Sequence, residues 1–150
     1  MANAIEVAEY ILEKTGSMTA MKLQKLVYYS QAWHLVWMDK PLFKDKIEAW
    51  RNGPVIPILF ELHQGNFKLD PGFFKNRLPQ SNLNAPTKKS QDVIDRVINY
   101  YGAKDPHWLS QLAHMEDPWK TAHTHCPIVH KDQCIVEITP QSMKDYYSSL

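Results

Sequence analysis

Histidine and cysteine residues are concentrated in one short segment toward the carboxyl end of the chain. The segment 123–134 and the region just before it contain the following candidates: His114, His123, His125, Cys126, His130 and Cys134. Imidazole nitrogens and thiolate sulfurs are ligands that zinc prefers in proteins. However, the segment has no C-x-x-C pair, and the order H-x-H-C matches no standard zinc module. We therefore expect neither a bound metal nor any other cofactor.

The same residues offer a second kind of chemistry, in which a histidine activates a cysteine nucleophile. Such a pair also needs a third group that orients the histidine and a site that binds the oxyanion. Nothing in the sequence around Cys126 indicates either group. We therefore predict that the protein is not an enzyme. A small metal-dependent enzyme built on segment 123–134 is the alternative.

Three polar residues interrupt a predicted helix that is otherwise apolar on nearly every side: Gln24, Lys25 and Gln31. One interpretation places them at a partner-binding or internal signalling site. The other makes them a buried hydrogen-bond network that fixes the position of the helix, because buried amides need partners. The neighbouring Tyr28 and Tyr29 allow the same two interpretations. We expect one tyrosine in the core and the other to present its hydroxyl.

A turn later in the chain carries residue types that often dominate protein–protein interfaces. It reads Trp50-Arg51-Asn52-Gly53-Pro54. Glycine permits a close approach or a positive φ, and proline fixes the backbone, so Gly53 and Pro54 are typical of an architectural turn. If the turn is exposed, Trp50 and Arg51 are typical anchors for a protein partner. The pattern allows both interpretations.

The elements that position these residues are predicted to be mainly helices. Apolar residues at helical spacing indicate the long helices, and a capping side chain followed by proline indicates the short late ones. The predicted spans are 4–14 (closing near Gly16), 19–38, 57–64, 93–101, 106–115, 118–123 and 140–148. The helix 19–38 is apolar on both sides, which predicts a central position with neighbours packed around it.

The remaining chain is predicted to contain a small sheet and a long loop. Residues 47–50 alternate partly and indicate an edge strand or one arm of a hairpin, with 134–138 as its possible partner. Residues 70–90 carry three prolines and no sustained period, which predicts a long surface loop. We therefore expect one mainly α domain over 1–150, with α+β as the alternative, built on a central helix with a two- or three-stranded sheet.

Composition and charge exclude several classes of partner. The net charge is +1, and lysine plus arginine balance aspartate plus glutamate in both halves of the chain. Proteins that neutralise many phosphates carry a basic excess on some element, so we do not expect a nucleic-acid partner. The first residues lack a basic and then apolar leader, and no apolar run is long enough to span a bilayer. We expect a cytoplasmic protein with reduced thiols and no membrane partner.

Three blocks of sequence occur in a characteristic order along the chain. The first block is Lys22-Leu23-Gln24-Lys25-Leu26 followed by Tyr28-Tyr29-Ser30-Gln31. The second is Pro41-Leu42-Phe43, Ile47-Glu48-Ala49-Trp50 and Gly53-Pro54-Val55 with Pro57. The third is Leu109-Ser110, His114, Pro118 and Trp119. Together these blocks resemble the Panacea domain, the antitoxin domain of SocA-like and GepA-like phage-associated proteins. Ser30 and Ala113 depart from the residues common in that family.

The resemblance implies an antitoxin that neutralises a cognate toxin, mostly by direct binding. Some members present the toxin to a cytoplasmic protease, so a protease is a second implied partner. Ten matching positions, together with Arg51 beside Trp50, become candidate partner-binding or motif residues: Gln24, Lys25, Tyr28, Tyr29, Gln31, Trp50, Arg51, Gly53, Pro54, His114 and Trp119. A DNA-binding regulator, which antitoxins of other families often are, is a further alternative.

Overall fold

The computed structural model describes residues 1–127 and 134–150, and over these ranges the chain is mainly α, as predicted. Its helices are Ala4–Thr15 (α1), Ala20–Met38 (α2), Pro57–His63 (α3), Phe73–Arg77 (α4), Lys88–Tyr101 (α5), Pro106–Met115 (α6), Asp117–Thr124 (α7) and Pro140–Ser148 (α8). None of the helices in the described ranges is both long and apolar enough to cross a membrane.

Two small antiparallel pairs make up the β structure. Met18–Thr19 (β1) pairs with Lys68–Leu69 (β4), and Glu48–Trp50 (β2) forms a hairpin with Gly53–Val55 (β3). In the hairpin, Ala49 lies opposite Pro54 and Trp50 opposite Gly53. Proline has no amide hydrogen to donate to a neighbouring strand, so its place in β3 is consistent with a strand at a sheet edge.

Helix α2 lies at the centre of the fold, as its apolar pattern predicts. It packs against α1, α5, α6 and α8 and against β3. Leu23 and Leu26 are fully buried, but Trp33 is only partly buried, and Met21 and Trp37 are exposed. The apolar pattern therefore identifies the helix correctly and overestimates burial at its two ends, where fewer neighbours cover it.

The helix starts follow local capping chemistry. The side chains of Thr19, Asp105 and Thr139 each accept a hydrogen bond from a backbone N–H in the first turn of their helix, as the sequence predicts. Helix α7 differs, because its N-cap is Glu116 and not Asp117, and no side chain caps it. The Glu116 carboxylate accepts hydrogen bonds from tyrosines instead.

The expected long loop at 70–90 is wrong for part of its length. Helix α4 lies within it, its Phe74 is fully buried, and α5 already begins at Lys88. The buried Glu9 of α1 accepts hydrogen bonds from the backbone N–H groups of Gly72, Phe74 and Lys75. A helix of five residues is too short to show a helical repeat of apolar residues, and the carboxylate that binds it is distant in sequence. The sequence therefore contains no local signal for α4.

The predicted strand at 134–138 is reduced to a single bridge. Glu137 pairs with Glu48, and the N–H of Ala49 donates to Val136 O at 3.1 Å, while that of Ile138 donates to Ile47 O at 2.8 Å. The expected partner is therefore confirmed, and the segment lies along β2 as a third, irregular arm.

Candidate functional site

Four side chains from α6 and α7 bind four consecutive carbonyl oxygens of the β2–β3 hairpin. In the order of the carbonyls from Ala49 to Asn52, the donors are His123 Nδ1, Trp119 Nε1, His114 Nε2 and Ser110 Oγ, at 2.8, 2.7, 2.7 and 2.7 Å. These four bonds fix the backbone of the turn onto the two helices. We call this set the hairpin clamp.

The clamp explains two of the predicted motif residues and adds two that sequence reasoning missed. His114 and Trp119 bind the turn through their ring nitrogens, and their rings meet edge to face at 4.2 Å. Ser110 and His123 were missed as members of the set. Their signal is a spacing of four, because 110 and 114 share one face of α6, and 119 and 123 share one face of α7.

Two of the three polar residues of α2 bind backbone groups. Gln24 accepts from Ile56 N at 2.8 Å and donates to Ile56 O at 3.2 Å, which ties β3 and the start of α3 to the central helix. Gln31 accepts from Leu42 N at 2.7 Å and donates to Phe43 O at 2.8 Å. Both amides are therefore satisfied internally, as the hydrogen-bond interpretation predicts.

Lys25, the third polar residue, differs from its neighbours. The residue is 2% exposed, and its Nζ has no hydrogen-bond or ion-pair partner among residues 1–127 and 134–150. The Nζ is not fully enclosed, because Lys25 lines an open cavity. Burial lowers the pKa of Lys25 from 10.5 to about 8, and no opposite charge counters that effect. A cation so placed is costly to bury, which distinguishes this residue from the two amides.

Gly53 makes room for this lysine. A Cβ added at Gly53 would lie 2.7 Å from Lys25 Cε, and the glycine has a φ of +118°, a conformation that other residues rarely adopt. The architectural interpretation of Gly53 therefore has a specific cause. The turn passes directly over the aliphatic end of the lysine.

A cavity of about 200 Å³ opens beside Lys25. Its lining consists of Ala20, Met21, Gln24, Lys25, Trp50, Asn52, Val55, Phe60 and His63. Trp50 and Phe60 meet edge to face at 4.9 Å and form an aromatic wall. Burial, and then the charge of Lys25, lower the pKa of His63, which favours its neutral form. Within the described part of the chain, no acidic residue belongs to the lining.

Tyr28 and Tyr29 point away from this cavity's lining and into a second polar cluster. Both are buried, so the prediction that one presents its hydroxyl to solvent is wrong. Tyr29 and Tyr147 each donate to Glu116 Oε1 at 2.7 Å, and the Tyr28 hydroxyl lies 3.0 Å from that of Tyr147. Burial raises the pKa of Glu116, and the two tyrosine hydrogen bonds act against that rise. We call these four residues the tyrosine–carboxylate cluster.

An apolar groove of about 670 Å³ lies beside the tyrosine–carboxylate cluster. Trp37 and Tyr100 line it and are 39% and 65% exposed, and the Arg96 guanidinium stacks on the Trp37 ring at 3.9 Å. Glu116 also lines the groove. Sequence reasoning missed this groove and Glu116, because the residues come from α2, α5, α6 and α8.

The histidine and cysteine segment forms a compact group, but in a form that the sequence did not predict. His123, Cys126 and Cys134 lie within 4.8 Å of one another, and the two cysteines form a disulfide. The prediction of reduced thiols is therefore contradicted, because the fold brings the two sulfurs together. In this disulfide form neither sulfur offers a thiolate to a metal. His125 is exposed and outside the group, and His130 lies outside the described residues.

Comparison with known proteins identifies the family. The family described as "Antitoxin SocA-like, Panacea domain" matches residues 23–120, which include most of the central helix, the hairpin and the clamp residues Ser110, His114 and Trp119. The chain is also similar to "Antitoxin SocA" of Caulobacter vibrioides (strain NA1000 / CB15N), with 27% identity over 128 residues, covering 78% of this chain and 68% of that protein. No solved structure matches the chain. The chain therefore belongs to the SocA-like antitoxin family that is defined by the Panacea domain.

Proposed function

We propose that this protein is an antitoxin that neutralises a cognate toxin by binding it directly, without a cofactor. The observation that carries the proposal is the family match over residues 23–120, supported by the similarity to a protein named as an antitoxin. The balanced charge of the chain favours a protein partner over nucleic acid.

The surface that best fits such a partner is the tip of the β2–β3 hairpin. Arg51 and Asn52 are exposed there, and Trp50 is half-buried beside them. Met21, which is 41% exposed, lines the same cavity as Trp50 and extends the apolar part of the surface. Tryptophan and arginine are the residue types most enriched among residues that dominate interface energy.

The hairpin clamp supports this choice, because it holds the turn in one conformation before any partner arrives. Each carbonyl from Ala49 to Asn52 accepts a side-chain hydrogen bond, so the backbone of the tip has little freedom to lose. Binding to a preorganised surface avoids the free-energy cost of ordering a loop. We infer that the clamp contributes to affinity although its members lie behind the turn.

The test is co-expression with the gene adjacent to that of this protein. We expect the antitoxin to restore growth and to co-purify with the toxin. Arg51→Ala should weaken the complex roughly tenfold or more while leaving Tm nearly unchanged. Arg77→Ala, at an exposed arginine on α4, is the matched control and should bind like the wild type. If no neighbouring gene is toxic and nothing co-purifies, the antitoxin proposal fails.

The lifetime of the toxin in cells distinguishes neutralisation by binding alone from presentation to a protease. Steric neutralisation leaves the toxin present and bound, whereas an adaptor shortens its half-life only in cells that contain the protease. We propose the cytoplasm as the site of this interaction, a compartment that ordinarily keeps thiols reduced. Because Cys126 and Cys134 form a disulfide, the number of free thiols in the purified protein should be measured in the same preparation.

A further inference from the structure

Lys25 is the buried polar side chain of α2 that lacks an internal partner. Gln24 and Gln31 bind backbone groups, and the Ser30 hydroxyl donates to Leu26 O at 2.8 Å. For Lys25, no hydrogen bond or ion pair joins its Nζ to any residue within the described ranges, and the Nζ meets the space of the adjoining cavity and is not fully enclosed. A largely desolvated ammonium at a cavity wall is unfavourable unless water or a ligand in the cavity compensates for the lost hydration.

The charge on this lysine persists under ordinary conditions. Burial brings the pKa of Lys25 down to about 8, which is still above neutral pH. Most molecules at pH 7 therefore carry an ammonium in this cavity. The other titratable residue named in the lining is His63, whose pKa is lowered by burial and by the charge of Lys25. The lowered pKa favours the neutral imidazole, and a histidine side chain offers no negative charge in either form. Glu48, next to the wall, accepts a hydrogen bond from Trp50 Nε1 at 2.9 Å and is not part of the lining.

The volume and the lining of the cavity indicate which kind of anion could pair with Lys25. Its volume of about 200 Å³ is below the usual range of roughly 300–1,000 Å³ for sites of drug-sized ligands. Trp50, Phe60 and Val55 supply apolar walls, and Asn52 at the turn offers further N–H donors. A carboxylate on a short aliphatic stem fits both the volume and the lining of this cavity.

We propose that the cavity beneath the β2–β3 hairpin is a carboxylate-binding site. The ammonium of Lys25 pairs with the carboxylate, and Trp50 and Phe60 contact the apolar stem. Gly53 keeps the site intact, because any Cβ there would collide with Lys25. The carboxylate belongs either to an acidic side chain or chain terminus of the bound partner or to a small free organic acid. The binding chemistry is the same in both cases and does not depend on the identity of the toxin.

The first arm of the test uses the purified protein alone. Three probes of the same shape are titrated by NMR and by thermal unfolding: isovalerate, its neutral amide isovaleramide, and isoamylamine. We expect saturable shifts of the Trp50 indole signal with isovalerate only. At ten times its dissociation constant, isovalerate should raise Tm by roughly 3–6 °C. Equal binding of acid and amide, or no saturable binding of the acid, overturns the proposal.

Two lysine variants locate the site. Lys25→Met should lose isovalerate binding, whereas Lys89→Met, at an exposed lysine on α5, should retain it. Unchanged binding in folded Lys25→Met contradicts the assignment. If Lys25→Met does not fold, the contrast between acid and amide on the wild type decides the question by itself.

The second arm distinguishes the two sources of the carboxylate. Excess isovalerate is added to the purified antitoxin–toxin complex. A partner-supplied carboxylate predicts that the acid weakens the complex and that Lys25→Met does the same. A free organic acid as natural ligand predicts that the complex is indifferent to both. Because the first arm needs no toxin, a failure of the carboxylate site and a failure of the antitoxin proposal are separately visible.

Discussion

Lys25 and Glu116 are two of the buried ionisable residues around the central helix, and the fold treats them in opposite ways. Glu116 is 6% exposed and accepts hydrogen bonds from Tyr29 and Tyr147. Lys25 is 2% exposed and lines the cavity under the hairpin, and its Nζ has no hydrogen-bond or ion-pair partner among the described residues. A satisfied buried charge fixes neighbouring elements, and here it joins α2, α8 and the start of α7. A desolvated charge without an internal partner lowers the stability of the folded protein, and a ligand of opposite charge can offset that loss.

The contrast separates a structural site from a candidate binding site within one motif. The sequence block Gln24 to Gln31 contributes to both sites, with Tyr28 and Tyr29 on the side of the tyrosine–carboxylate cluster and Lys25 under the hairpin. A motif in this family therefore does not have a single role. Substitutions at and around Lys25 and Glu116 test whether the two charges differ in this way.

The largest effect is expected from removing the satisfied charge. Glu116→Ala leaves the Tyr29 and Tyr147 hydroxyls without their buried acceptor. It should lower the free energy of unfolding by roughly 3–5 kcal/mol, the usual cost of removing one partner of a buried charged network. Glu116→Gln, which keeps an acceptor oxygen, is the matched control and should cost far less. Urea unfolding monitored by tryptophan fluorescence measures both. Equal losses for the two variants would show that the tyrosine bonds contribute little.

Removing the unsatisfied charge should have the opposite sign. Lys25→Met keeps most of the side-chain volume and removes the buried ammonium. At pH 7 it should raise the free energy of unfolding by up to about 3 kcal/mol, which corresponds to a pKa of about 8 against 10.5. A loss of stability in Lys25→Met would mean that the ammonium has a stabilising partner after all.

The same lysine also predicts a pH dependence. Between about pH 8 and 10.5 the unfolded chain binds more protons at this site than the folded protein does, so wild-type stability should rise with pH. Tyr28, Tyr29 and Tyr147 have raised pKa values, so their titration lowers the free energy of unfolding as the pH rises above 10. The pH range that reports on Lys25 is therefore 8–10. The difference between wild type and Lys25→Met across this window isolates Lys25. A constant difference contradicts the prediction.

An intermediate loss is expected at the glycine that covers Lys25. Gly53→Ala meets both an unfavourable φ of +118° and the Lys25 Cε at 2.7 Å, and should cost roughly 1–3 kcal/mol. Because the contact is with Lys25, the cost should be smaller in a Lys25→Ala background, with a coupling of at least about 0.5 kcal/mol. Gly65→Ala has a φ of +86° and open space around its Cβ, so it serves as the control for backbone strain alone. If the losses of stability in the two single variants simply add up in the double variant, the contact with Lys25 does not contribute to the cost of Gly53→Ala.

The smallest effect is expected in the hairpin clamp. Trp119→Phe keeps a ring beside His114 and His123 but removes the N–H that binds Trp50 O. We expect a loss of about 1 kcal/mol and weaker isovalerate binding, because the roof of the Lys25 cavity loosens. Trp108→Phe, at a tryptophan that is 40% exposed on α6, is the control. If Trp119→Phe and Trp108→Phe affect isovalerate binding equally, the hairpin clamp does not support the cavity.

Local signals predicted most of the helical fold. The N-caps Thr19, Asp105 and Thr139 and the period of α2 and α5 were sufficient, because each lies within the element that it specifies. Helix α4 was not predictable, since its N-terminus is bound by Glu9, which is distant in sequence. Contacts between residues that are distant in sequence produce no periodic pattern within either segment.

The candidate site was predictable only in part, for the same reason. The sequence indicated Lys25, Trp50 and Gly53 as unusual residues, and their types alone drew attention to them. It could not show that Lys25 lies under Gly53, or that Glu116 receives the hydroxyls of Tyr29 and Tyr147, because these contacts join separate elements. The opposite treatment of the two charges is therefore a property of the fold.

The most direct test of that contrast is an NMR titration of the lysine side chains in protein labelled with ¹³C at the lysine Cε position, with Lys25→Met used to assign the Lys25 signal. Our account predicts one lysine, Lys25, with a pKa of about 8, well below the ordinary value near 10.5. Isovalerate should raise that pKa, because an adjacent carboxylate favours the charged ammonium. A Lys25 signal that titrates near 10.5 without any ligand would contradict this prediction, since it would mean that the ammonium is either well hydrated or already paired.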